Sequence, residues 1–137
     1  MAVPPDPIGE LLNTVRNIAV VGLSNSPLRP SHGVALYLQQ NGYHIIPVNP
    51  RIEASLGEKA YPSLADVPEK IDVVDVFRRP EFVPEIVEAS IRKRAKVVWM
   101  QEGVIHEAAA HRAEQAGLVV VMDRCILKDH LRLAYAS

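Results

Sequence analysis

The stretch Gly22-Leu23-Ser24-Asn25-Ser26-Pro27-Leu28-Arg29-Pro30-Ser31 carries residue types suited to holding an anion. Gly22 permits a sharp backbone turn, and Ser24 and Ser26 present hydroxyl donors. Arg29 adds a planar fork of N–H groups that matches phosphate oxygens. A helix opening at Ser31 would add unpaired N–H groups and a positive dipole end. Within this loop only Gly22 is in place before Gly33, so this is not the GxGxxG fingerprint, and a Ser/Pro turn with a solvated arginine is the alternative. Downstream, Val48-Asn49-Pro50-Arg51 is informative for what it lacks. A site for NAD wants an acid there to hold the ribose 2′-hydroxyl. Asn49 followed by Arg51 instead suits a phosphate on the ribose, as in NADP or coenzyme A, unless the arginine merely follows a turn. Phe77-Arg78-Arg79-Pro80 can stack on a base and face an anion, or form a surface ion-pair cluster with Glu81 and Glu85. Met100-Gln101-Glu102-Gly103-Val104 places a glycine where backbone turns tightly or comes close to a ligand.

Candidates for catalysis are few. Asp72 and Asp75 lie three apart in one apolar run, so they face opposite sides of a strand, which is wrong for an acid–base pair. His106 and His111 are five apart on a helical stripe, not the four that put two metal ligands on one face. His44 and His130 stand alone. Cys125 is the sole cysteine. It has no disulfide partner in the chain, fits a reducing cytosol and reads as a packing thiol. The expectation is a binding site without catalytic residues or a metal, and hence a protein that is not an enzyme.

The elements that position these loops follow from periodicity. Asp6-Pro7 reads as an N-cap with proline at the first helical position, and Ile8, Leu11, Leu12 and Val15 share a face, giving a helix over about 6–16. Ile18-Ala19-Val20-Val21 reads as a strand buried on both faces. Ser31 caps a helix that buries Val34, Ala35 and Leu38 and stops at Asn41-Gly42. His44 to Val48 is the second strand, Ser63 opens a short helical turn, and Ile71 to Phe77 is the third strand. A helix over 81–94, a strand from Lys96 to Met100, a small-residue helix ended by Gly117, a strand from Leu118 to Met122 and a last helix from Cys125 to Leu133 complete the chain. This alternation means parallel βαβ units in a doubly wound α/β sheet. Each candidate loop follows a strand, where open parallel sheets bind ligands.

A length of 137 residues fits one domain, 1–137, with its core over 17–133. Lys+Arg 15 against Asp+Glu 16 leaves a net charge of -1, which offers no electrostatic footprint for nucleic acid or an anionic membrane. The apolar runs are too short to span a bilayer, and the start, crowded with Pro4, Pro5 and Pro7, has no secretory h-region. A cytoplasmic location is expected.

With these segments in view, the sequence resembles the CoA-binding domain family, small stand-alone proteins similar to the N-terminal domain of the succinyl-CoA synthetase alpha subunit. The residues that carry the likeness are Ile18 to Ser24, Arg29-Pro30-Ser31, Gly42 to Arg51, Asp72 to Arg78, Val98 to Gly103 and Asp123 to Ile126. The resemblance spans roughly 10–133. It implies a Rossmann-like sheet of five parallel strands in the order 3-2-1-4-5, with coenzyme A or an acyl-CoA lying across the strand ends. It further implies phosphates at Ser24, Asn25, Ser26 and Pro27, the nucleotide end at Arg51, and Met100, Gln101 and Glu102 along the ligand. The synthetase's phosphorylated histidine belongs to a further domain absent from this sequence, so the likeness carries binding and not ligase activity. The rival readings are an NADP-dependent oxidoreductase and a detached half of an acyl-CoA ligase that works with a protein partner.

Overall fold

The computed structural model describes residues 6–136; Pro4 and Pro5 lie outside the described residues. Asp6 accepts from the N–H groups of Ile8 and Gly9 and so caps α1 (Pro7–Thr14), as its position before Pro7 predicts. Strand β1 (Asn17–Val21) leads through the Gly22 turn to α2 (Pro30–Gln40), which ends where Gly42 takes up a positive φ. Then come β2 (His44–Val48), β3 (Val73–Val76), α3 (Val83–Arg92), β4 (Val97–Met100), α4 (Glu107–Gln115), β5 (Val119–Val121) and α5 (Ile126–Ala136). Between β2 and β3 a two-rung hairpin pairs Ala54 with Lys59 and Ser55 with Glu58. A 3-10 turn over Leu64–Asp66 follows it.

The β-branched runs form a five-stranded parallel sheet covered on both faces, the doubly wound α/β class that the alternation requires. Ala19, Val21, Ile46, Val74, Val98 and Met100 point toward α3 and α4. The alternate residues Ile18, Val20, Ile45, Val73, Val97 and Trp99 point toward α1, α2 and α5.

The strand order corrects the expected 3-2-1-4-5. The sheet runs 2-1-3-4-5, with β3 hydrogen-bonded to β1. Pro47 explains it. The Val48 carbonyl faces β1 and accepts from Gly22 N, whereas the Pro47 carbonyl faces outward and accepts from Tyr61 N. The missing N–H of Pro47 therefore falls on the outer side of β2, which cannot carry a full ladder there and must be an edge. Strand β3 is sent across to the other side of β1. Because α2 and α3 lie on opposite faces, strand order reverses between β1 and β3, and that is where such a sheet opens a crevice at its carboxyl ends.

A second correction concerns Ser31. The residue before α2 is Arg29, which makes no side-chain cap. The Ser31 hydroxyl turns back instead and accepts from Ser24 N at 3.0 Å. The cap is given up for a tie between the helix start and the loop.

Candidate ligand-binding site

The crevice is a cavity of about 690 Å³ formed by the loops after β1, β2 and β3. From the first loop it takes Gly22, Ser24, Arg29 and Ser31, with Pro30 added; from the second, Asn49, Pro50 and Arg51; from the third, Phe77, Arg78 and Arg79, with Phe82 added. Gly22 has φ +90, and a Cβ there would sit 2.6 Å from the Phe77 carbonyl oxygen. No larger residue fits between the two loops without moving backbone.

The first loop is wired before any ligand arrives. Ser24 Oγ accepts from Ser26 N at 3.0 Å, and Ser26 Oγ accepts from Leu28 N at 3.3 Å. Asn49 ties the loops together: its Nδ2 donates to Leu23 O, and its Oδ1 accepts from Arg51 N, each at 2.9 Å. As the Ser24 and Ser31 hydroxyls serve as acceptors in these bonds, their protons remain available for an anion. Ser26 thus supports the loop, while Asn25 and Pro27, both exposed, stand outside the cavity lining.

The charge in the cavity is one-sided. Arg79 pairs with Glu81 at 3.2 Å, and Arg78 lies 4.1 Å from the Phe82 ring centroid in a cation–π contact. Arg29, Arg51 and Arg78 have no carboxylate partner among the described residues. The cavity lining therefore carries an excess of positive charge.

An adjoining groove of about 500 Å³ shares Pro30, Phe77, Arg78 and Arg79 with this cavity and continues past Gln101, Glu102 and Cys125. Glu102 there is paired with Lys128 at 2.9 Å. Met100, expected along the ligand, is 0% exposed and packs under α3 and α4, so it offers no surface to one. The alternation of the strand decides this: Met100 points into one core, and Gln101 is the first residue after β4.

Elsewhere the polar residues are engaged with the protein itself. His44 pairs with Glu69 at 2.6 Å, His106 caps α4, and His130 Nδ1 meets the Tyr37 hydroxyl at 2.7 Å, so the histidines that stand alone in sequence have partners in space. No group of three or more metal-ligating residues is present among the described residues. The buried Ser55 hydroxyl is one exception, and Asp75 is another. It sits mid-strand in β3 between Val20 and Trp99, 0% exposed, with both carboxyl oxygens lacking a partner among the described residues. Burial pushes its carboxyl well above the usual carboxylate range. An aspartate inside an apolar run gives no sign in sequence that it will lack a partner.

A family model described as a CoA binding domain matches residues 16–131. The chain belongs to this CoA-binding domain family. The domain is 45% identical to the uncharacterised protein YneT of Bacillus subtilis over 90% of its own length and 91% of that protein. It superposes on the solved structure of a hypothetical protein from Pyrococcus horikoshii with a TM-score of 0.90 and 45% identity, over 93% of this chain and 89% of that one. It is also 30% identical to the alpha subunit of an ADP-forming acetate–CoA ligase of Pyrococcus furiosus, over 77% of its length but only 24% of that subunit. The CoA-binding domain thus corresponds to about a quarter of that ligase subunit.

Proposed function

We propose that the protein binds coenzyme A or an acyl-CoA across the carboxyl ends of β1 to β4 and has no catalytic constellation of its own. The observation that carries this reading is the trio Arg29, Arg51 and Arg78, left without carboxylate partners in one cavity of a chain whose net charge is -1. A CoA nucleotide brings a diphosphate and a ribose phosphate, and the cavity answers both. Ser24, Ser31 and the start of α2 suit the diphosphate, and Arg51 suits the ribose phosphate. Phe77 offers an apolar surface between the two spaces. The adjoining groove has a mostly apolar surface, which suits a pantetheine arm, and NADP has no such arm to place in it.

A second reading is a unit that works beside a partner chain in acyl-CoA synthesis, which the likeness to the ligase alpha subunit favours. No helix among the described residues is long and apolar enough to cross a membrane, consistent with the cytoplasmic setting that the reading assumes.

Thermal unfolding with CoA, dephospho-CoA, NAD and NADP tests the ligand. At a free concentration about 100-fold above Kd, CoA stabilises by roughly 2.7 kcal/mol. For a domain of this size that is a rise in Tm on the order of 8 °C. A flat response to millimolar CoA beside a rise with NADP would transfer the site to a reductase. A stable complex with a second chain recovered at native abundance would favour the partnered reading.

A further inference from the structure

A single planar amide holds one peptide group in each of two loops that line the cavity. Asn49 Nδ2 reaches the Leu23 carbonyl in the first loop, and Asn49 Oδ1 takes the N–H of Arg51 in the second, each at 2.9 Å. The Leu23–Ser24 peptide is gripped from its other side too, because Ser24 N donates to Ser31 Oγ at 3.0 Å. Asn49 is itself anchored. Its own N–H donates to the Tyr61 carbonyl, and the carbonyl before it, that of Val48, accepts from Gly22 N, both at 2.9 Å. Pro50, between the amide and Arg51, has its φ fixed by the ring. The spacing between the Ser24 backbone and the Arg51 backbone is thus set by the protein before a ligand arrives, and both residues line the cavity.

We propose that Asn49 is a positioning residue that fixes the separation between the diphosphate loop and Arg51, so that the site distinguishes a phosphate on the ribose 3′-oxygen from one on the 2′-oxygen. This rests on the reading of the arginine cavity as a CoA nucleotide site. Asn49 acts through Arg51 and needs no contact with the ligand, since its donor and its acceptor both serve the two loops. A guanidinium paired with a phosphate through two parallel N–H bonds is sensitive to where the phosphate lies. With the diphosphate seated at the first loop, moving the ribose phosphate to the neighbouring carbon shifts it relative to Arg51. While the Arg51 backbone is fixed, only side-chain rotamers are left to follow that shift. Once the backbone is released, the guanidinium can sweep both positions and the distinction is lost.

The test is calorimetry with CoA, its 2′-phosphate isomer and dephospho-CoA, on the wild type and on Asn49→Ala. The wild type is expected to bind CoA about tenfold more tightly than the isomer. In Asn49→Ala the two should come within about twofold of each other. Asn49→Ser keeps an acceptor for Arg51 N and drops the tie to Leu23, so it should show the same convergence and serves if the alanine protein does not fold. A residue that only stabilised the fold would weaken all three ligands by one factor. A ratio of CoA to isomer that stays at its wild-type value in the variants would therefore overturn the proposal and leave the CoA reading intact. A wild type that binds CoA and its isomer equally would do the same. If the wild type bound none of the three, both readings would fall together.

Discussion

The amino end of the sheet and the cavity at its carboxyl end treat their charges in opposite ways. At the amino end, Asp72 Oδ2 accepts from the N–H groups of Arg16 and Asn17, both at 2.9 Å, and its other oxygen lies 3.7 Å from Lys96 Nζ. His44 pairs with Glu69, and Lys93 donates to the Val67 carbonyl. At the carboxyl end, three arginines face a cavity with no acid to meet them. Polar groups that are satisfied within the chain hold the fold together, and groups left open are waiting for something else. The difference separates stability from binding on a single sheet.

Four substitutions sharpen or break that separation. The largest effect belongs to Gly22→Ala, because the methyl group meets Phe77 backbone and the φ is left-handed. A loss of about 3 kcal/mol in urea unfolding is expected, together with loss of CoA binding. This residue serves both fold and site, and a stable Gly22→Ala protein would mean that the loops have more room than the close approach shows.

Next comes Asp72→Ala, which orphans two backbone donors and should cost about 2 kcal/mol of stability at pH 7 with CoA affinity unaltered. Partial burial opposes the charge on Asp72, but the N–H groups of Asn17 and Arg16 and nearby Lys96 outweigh it and hold the carboxyl below the usual range. A lowered folded pKa means stability that is present above the ordinary carboxylate value and lost as pH falls through the folded one. Acid titration of unfolding should therefore show a step below about pH 4 in the wild type that is missing in the variant. If the two curves run parallel, the amino-end network does not hold the fold in the way its geometry indicates.

Arg51→Ala is the mirror experiment. Its side chain is exposed and has no carboxylate partner among the described residues, so Tm should stay close to that of the wild type while CoA weakens about tenfold, or 1.4 kcal/mol. Dephospho-CoA should lose little. Equal losses for both ligands in calorimetry would detach Arg51 from the ribose phosphate. The smallest effect is that of Ser24→Ala, about 1 kcal/mol of CoA affinity from one charge-assisted hydrogen bond and a looser turn at Ser26. Unchanged affinity would place the diphosphate elsewhere.

Much of this architecture is legible in the sequence because its signals are local. Asp6-Pro7 sets a helix start, Asn41-Gly42 a helix end, and the β-branched runs the buried strands. The loops that surround the cavity can be found from the rule that parallel sheets bind at their carboxyl ends. What escapes is long-range. Pro47 carries the strand order, yet its meaning depends on which side of β2 its missing N–H faces. Ser31 looks like a cap until the loop returns to claim its hydroxyl. Phe82 joins the cavity through a 3-10 turn over Pro80–Phe82 that the helical period at 81–94 conceals. The hairpin at 54–59 turns on Leu56 and Gly57, both at positive φ, and leucine gives no warning of that conformation.

The sealed outer side of β2 also governs how copies of this molecule can meet. Tyr61 and Pro47 occupy one border of the sheet, whereas no described strand pairs with the outer side of β5, where Val119 is 50% exposed. A sheet with a single live border cannot propagate. Two copies joined along β5 would present only blunted borders to a third, so growth by strand addition terminates at a two-fold pair and no filament follows. The proline that sends β3 across the sheet thereby also limits growth by strand addition, a safeguard for a small chain whose central sheet is built from apolar strands.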